Sequence, residues 1–169
     1  MLIELPPELT IDTIDDLVDR WSDQDPNITI DLSRNRWVHP IGTVALSCLA
    51  ARALTRGCNP SFKVDGCRNL GYWQRMRFFE NFGLSGIPSG GEPKSAEGRF
   101  SEVTKILDIN DTDRIAEELV RVASPAEEAL QTYSHIVSEA LNNVCQHSRG
   151  QGFCASQYYP EGESYAFVF

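Results

Sequence analysis

Glu139, Asn143 and Gln146 recur at i, i+4 and i+7, with His147 at their shoulder, while Val137, Leu141 and Val144 fall on the other side of the same helical wheel. Every amphipathic helix has a polar face, but a solvated one collects lysine and glutamate. Here Glu139 is the only formal charge at neutral pH between Glu128 and Arg149. A lone carboxylate among asparagines, a glutamine and histidines suits a concave binding site. One helical turn from an amide, such a carboxylate can orient or deprotonate a water. The amide oxygen is a hard ligand of the kind Mg²⁺ takes.

The surrounding elements must hold that face in place. Ser124-Pro125-Ala126-Glu127 is a capping box with proline at the first helical position, and the helix it opens is predicted to run to about His147. Ile115, Leu119 and Val122 predict a helix over 114–122 just before it. Gly150-Gln151-Gly152 then turns the chain into a strand over 153–159, and Pro160-Glu161-Gly162-Glu163 turns it into a second over 165–169.

Upstream, residues 2–5 form a short apolar stretch ended by Pro6-Pro7. Ile11, Ile14, Leu17, Val18 and Trp21 follow at helical spacing, with Asp12, Asp15 and Asp16 early, where a helix N-terminus favours anions. The pattern continues with a buried strand over 28–32, an alanine- and leucine-rich helix over 42–56 closed by Gly57, a strand over 61–64 and a helix over 69–82 before Gly83. Strand–helix–strand–helix order predicts α/β layers. Residues 85–99 hold four glycines and two prolines and read as a linker or exposed loop.

Composition removes several function classes. Fifteen Lys and Arg against 24 Asp and Glu give a net charge of −9, the wrong sign for coating a nucleic-acid duplex. No apolar run approaches ~18 residues, so no membrane span is predicted. The first ten residues have neither a basic n-region nor an apolar h-region, and a cytoplasmic location is expected. Five cysteines form no C-x-x-C pair, which argues against zinc and disulfide scaffolds. Residues 1–31 carry nine acids and one base, whereas 32–84 carry eight bases and two acids. Two solvated faces of one domain that attract each other would account for this, as would a basic face that docks an acidic partner or a phosphate. There is no P-loop, G-x-G-x-x-G or G-x-S-x-G to support a metabolic α/β enzyme.

The segment Ser138-Glu139-Ala140-Leu141-Asn142-Asn143-Val144-Cys145-Gln146-His147-Ser148 resembles the N-box, E-x-x-x-N-x-x-x-H, of the GHKL (histidine-kinase-like, Bergerat-fold) ATPases, in wording closest to the anti-sigma-factor serine kinases. The resemblance covers about 45 residues, including the preceding capped helix and the following strand. It implies an ATP site in which Asn143 is the Mg²⁺ ligand, Glu139 the water-orienting or basic residue, His147 a phosphate or ribose neighbour and Asn142 an accessory polar contact. The family's next element, D-x-G-x-G, holds the adenine and would follow the last strand. The chain reaches residue 169 without it, so a fragment is expected, one that binds ATP weakly or not at all. His135 belongs to the N-box helix itself and is not expected to be a phosphoacceptor.

The first part, from the strand over 28–32 through an apolar helix with an Arg-Gly ending, resembles a STAS domain, the fold of anti-sigma-factor antagonists. Where that family has D-S-S-G or D-S-T-G, this chain has Val38-His39-Pro40-Ile41-Gly42, and Ile41 at the acceptor position cannot be phosphorylated. The expectation is therefore an α/β protein: a STAS-like β/α domain over 1–84, a linker over 85–100, and the opening part of a Bergerat-type α/β sandwich over 101–169. Together the resemblances imply a signalling regulator that uses ATP and Mg²⁺ and binds another protein, with room for a homodimer. The rival expectation is a non-catalytic interaction module with a degenerate STAS domain and an incomplete nucleotide site.

Overall fold

The computed structural model describes residues 1–22, 25–90, 98–123, 127–148, 151–159, 161 and 164–169. The fold is mixed α/β and divides into two compact units, 1–93 and 94–169. In the first unit β1 (Leu2–Glu4), β3 (Asn27–Asp31) and β5 (Asn59–Lys63) form a parallel sheet in that order. Its register sets Ile3 beside Ile30 and Ile30 beside Phe62. β2 (Glu8–Leu9) pairs in parallel with β4 (Trp37–Val38). Helix α1 (Ile11–Arg20) leads from β2 to β3, and α2 (Pro40–Thr55) from β4 to β5. Ile3, Leu5, Leu9, Leu17, Ile30 and Leu46 are all at most 2% exposed, so helices and strands share one apolar layer.

Local chemistry fixes the helix ends. The Thr10 amide donates to Thr13 Oγ1 at 2.9 Å, and that hydroxyl in turn donates to the Glu8 carbonyl, which anchors the start of α1 to β2. α2 starts two residues before the predicted 42–56, because His39 takes the extended N-cap conformation and Pro40 fills the first helical position. Gly42 then lies inside the helix: a Cβ there would stand 2.6 Å from Leu9 Cγ, so the glycine answers to the close approach of β2.

The predicted helix over 69–82 is broken. α3 covers only Leu70–Arg75, and a 3-10 turn follows at Glu80–Phe82. Arg77 takes a left-handed backbone (φ 52°), with its amide donating to the Gln74 carbonyl and the Phe78 amide to the Trp73 carbonyl. A continuous helix would swing Phe78 off the stripe of Leu70, Trp73 and Met76. The break instead buries Phe78 completely, edge-on to Trp73 (4.9 Å between centroids) and to Phe62 (5.2 Å).

Two further differences concern the linker predicted over 85–100. Its start is packed on the first unit: Ile87 lies against the core, and the Gln74 carboxamide donates to the Pro88 carbonyl and accepts from the Gly90 amide, both at 2.7 Å. Its end belongs to the second unit, where Phe100 is buried and bridges Gln157.

That second unit holds β6 (Thr104–Ile106), α4 (Thr112–Ala123), α5 (Glu127–His147), β7 (Gly152–Tyr159) and β8 (Ser164–Val168). The strands form an antiparallel sheet in the order β6-β7-β8. Ile115, Leu119 and Val120 of α4, Val137 and Leu141 of α5, and Ile106 and Cys154 of the sheet make its core. The proposed capping box and the two turns around 150 and 160 fall on residues of which at least part lies outside the described set.

Two polar devices hold the first unit. The Asn35 side chain is fully buried; it donates to the Pro6 and Trp37 carbonyls (3.0 and 3.1 Å) and accepts from the Trp73 indole (3.2 Å). Asn35→Ala strands those three groups, and a loss of about 2–4 kcal/mol of stability is expected. Urea unfolding followed by tryptophan fluorescence measures it, and a loss below about 1 kcal/mol would show that the amide is dispensable.

Asp31 pairs with Lys63 at 2.8 Å, and its other oxygen accepts the Ser33 amide at 2.8 Å. The Lys63 ammonium first, then the Ser33 contacts, hold the Asp31 carboxyl down to about 2. A depressed carboxyl stabilises the fold above the ordinary range near 4, and that contribution is lost as pH falls towards 2. Lys63 is solvated, which limits the effect to the order of 1 kcal/mol. Thermal melts between pH 6 and 2.5 should show the wild type losing more stability than Asp31→Asn below pH 4.

Candidate functional site

α5 meets the sheet through Val137 and Leu141, 3% and 0% exposed, with Val144 half-buried beside them. The first residue of β7 is Gly152, where a Cβ would stand 2.4 Å from Val144 Cγ1 and 3.2 Å from Ile106 Cδ1. The helix thus lies directly on the start of β7, and its opposite side faces out. Glu139, Asn143, Gln146 and His147 are all exposed there. Positions 139, 143 and 147 drift by about 40° per step and climb about 6 Å, so three of the four predicted site residues form one stripe.

Asn142, the fourth, is not brought to that stripe. It is half-buried, and its Oδ1 lies 2.8 Å from the Thr112 hydroxyl at the start of α4. One turn earlier the buried Ser138 hydroxyl donates to Asp113 Oδ1 at 2.5 Å. Consecutive residues of α4 therefore hold α5 at two points a turn apart. Ser138 and Asn142 immediately precede Glu139 and Asn143, so this grip sets the rotation of α5 and with it the direction in which the stripe points. These contacts span 25 and 30 residues, and no sequence periodicity announces them. Ile136 was also missed: 58% exposed, it sits at i−3 from Glu139 and i−7 from Asn143 and gives the stripe an apolar edge.

The stripe fits the group the sequence resemblance implies. A carboxylate and an amide oxygen are oxygen donors of the type Mg²⁺ prefers, and Mg²⁺ commonly takes only one or two protein ligands, completing its shell with phosphates and water. Among the described residues no cluster of three or more His, Cys, Asp or Glu could hold a metal alone. The buried thiol of Cys154 in β7 does not compete as a nucleophile: burial first, and then the Glu118 carboxylate, push it up to about 12.

In the first unit the segment matching the phosphoacceptor motif forms the start of α2. His39 is half-buried at the N-cap, and burial holds its pKa below the usual value. Ile41 is half-buried. Thr43, the nearest hydroxyl, is fully buried inside the helix with no hydrogen-bond partner for its oxygen among the described residues. A modifying enzyme could not reach it in the folded chain.

Removing one of the two α4 contacts should loosen the helix pair without emptying the core. Ser138→Ala is expected to cost about 1 kcal/mol and to raise hydrogen exchange of α5 amides around 136–144. Unchanged exchange there would mean that apolar packing alone fixes the rotation of α5.

Comparison of the chain with protein-family models, with curated proteins and with solved structures finds no significant match.

Proposed function

We propose that this chain is a signalling regulator in which a STAS-like partner-binding domain precedes the N-box part of a GHKL-type ATP site, serving ATP-dependent phosphorylation of a partner protein's serine in the manner of anti-sigma-factor kinases. The observation that carries the reading is the exposed stripe of Glu139, Asn143 and His147 on a helix whose other side is packed on an antiparallel sheet. The order β6-α4-α5-β7-β8, with two helices against one sheet, agrees with the opening of a Bergerat sandwich. In the first unit, the parallel order β1-β3-β5 and the start of α2 directly after the short β4 agree with a STAS-like layer. With Ile41 at the acceptor position, that domain binds its partner without a phosphorylation switch there.

Each residue of the stripe has a separate task. Asn143 offers its amide oxygen to Mg²⁺, which when bound neutralises phosphate charge. Glu139, a turn away, orients or deprotonates the attacking hydroxyl. His147 reaches a phosphate or ribose oxygen at the end of the stripe. Asn142 acts from behind, by holding α5 to Thr112.

In a chain that continues through a D-x-G-x-G segment, Asn143→Ala is expected to lose Mg·ATP binding. Glu139→Gln should keep binding and lose ~10²–10⁴ in turnover. Both residues are exposed, so neither change should unfold the domain. Calorimetric binding measured separately from phosphate release decides it. If Asn143→Ala binds like the wild type, the non-catalytic interaction module takes the place of this reading.

A further inference from the structure

Of the three tryptophans, Trp73 is fully buried and Trp21 half-buried, whereas Trp37 leaves 52% of its surface in water. It stands in β4 directly beside Glu8 of β2. Both strands alternate alike, with Leu9 and Val38 buried and Glu8 and Trp37 exposed. Paired strands lie about 4.8 Å apart, so an indole and a carboxylate are presented side by side.

The fold does not need this indole, because β4 is held through its backbone. The Pro7 carbonyl accepts the Arg36 and Trp37 amides at 2.8 and 3.0 Å, and the Trp37 carbonyl accepts from the buried Asn35 carboxamide at 3.1 Å. Neither the Trp37 side chain nor the Glu8 carboxylate makes a hydrogen bond, ion pair or ring contact with another described residue. The cations nearby in sequence leave Glu8 free: Arg34 lies 3.7 Å from Glu4, and Arg36 makes no ion pair with a described residue. A lone exposed apolar residue needs no explanation, but here a ring on a rigidly held backbone adjoins an unpaired carboxylate.

That pair selects a cation. An arginine guanidinium lies flat on an indole within about 6 Å of the ring centre, and its edge donates to a carboxylate. The surroundings favour the same sign. Thr13 ties the first turn of α1 to the Glu8 carbonyl, and Asp12 and Asp15 of that helix are exposed. We propose that Trp37 and Glu8 receive an arginine side chain from a basic segment of a partner protein, with the guanidinium on the indole and its edge against the carboxylate. An acidic partner would meet Glu8, Asp12 and Asp15 with the wrong sign. Asn35 prepares the site, since a backbone fixed beforehand loses little entropy when the guanidinium arrives. This contact uses no residue of the proposed ATP site, so the two stand or fall separately.

The probe is an acetylated and amidated Gly-Gly-Arg-Gly-Gly peptide, titrated to about 50 mM into the ¹⁵N-labelled chain with the Trp37 indole N–H resonance as readout. A saturable shift of that resonance is expected, on the order of 1–10 mM in affinity, with Trp21 and Trp73 unmoved. Glutamate in place of the peptide's arginine should abolish the shift, and lysine should weaken it. Trp37→Ser and Glu8→Gln, read on the backbone amides of β2 and β4, should each lower the affinity roughly two- to fivefold. Circular dichroism confirms that both variants fold. Arg36→Gln should bind at least as tightly as the wild type. Asn143→Ala should bind the peptide unchanged, which keeps the result apart from any failure of the ATP site. No shift across the titration, an equal response to the glutamate peptide, or variants that bind like the wild type overturn the proposal. So does a Trp37 resonance that shifts with the chain's own concentration, because a second copy would then be the occupant.

Discussion

The buried carboxamide of Asn35 is the interaction on which the first unit depends. It lies in the turn after β3 and reaches the carbonyl of Pro6 after β1, the carbonyl of Trp37 in β4 and the indole of Trp73 in α3. β2 and β4 are two residues each, too short to hold a sheet by their own hydrogen bonds. Asn35 supplies what they lack, because a fully buried amide that loses any of its three partners leaves a polar group without water. With β4 held, His39 arrives at the N-cap of α2, and Leu9 presses close enough on Gly42 to exclude any side chain.

The second unit solves a different problem, the rotation of one helix. Apolar packing of Val137 and Leu141 fixes which side of α5 meets the sheet, but such packing tolerates a turn of some tens of degrees. The hydroxyl and amide contacts from α4 narrow that freedom, since hydrogen bonds weaken steeply with misalignment. Gly152 adds a limit from below by letting β7 approach Val144. The direction of the exposed stripe is therefore set by residues that take no part in it.

Much of this architecture was legible in the sequence, and for a common reason. α1, α4 and α5 repeat apolar residues at helical spacing, α2 is a nearly continuous run of small and apolar residues closed by Gly57, and β3, β5, β7 and β8 are apolar or β-branched runs between turn residues. What stayed hidden has no periodicity. β2, β4 and β6 are two or three residues long, the Asn35 contacts join residues up to 38 apart, and the break at Arg77 has no glycine to mark it. Periodicity also overreached on α1, where Ile11 and Val18 follow the apolar spacing yet face outwards. At the stripe, spacing and the lack of charge pointed to Glu139, Asn143 and His147. The same spacing could not tell that Asn142, one residue from the face, turns back to α4.

Local rules are broken at several exposed places of the fold. A solvated helix face would carry lysine and glutamate, and α5 carries amides and a single carboxylate between Glu128 and Arg149. The end of a helix with a left-handed residue would carry glycine, and α3 carries Arg77. An amphipathic helix would bury its aliphatic residues, and α1 leaves two beside its aspartates. Natural sequences keep such inconsistencies chiefly where a function compensates the lost stability. Each unit also places polar contacts on neighbours of these surfaces: Asn35 with Trp73, which precedes the turn at Arg77, and Ser138 and Asn142 with α4, each one residue before a stripe residue. A rigid support behind an exposed polar group lowers the entropy lost when a ligand orders it, so the support and the exposed group belong to one device.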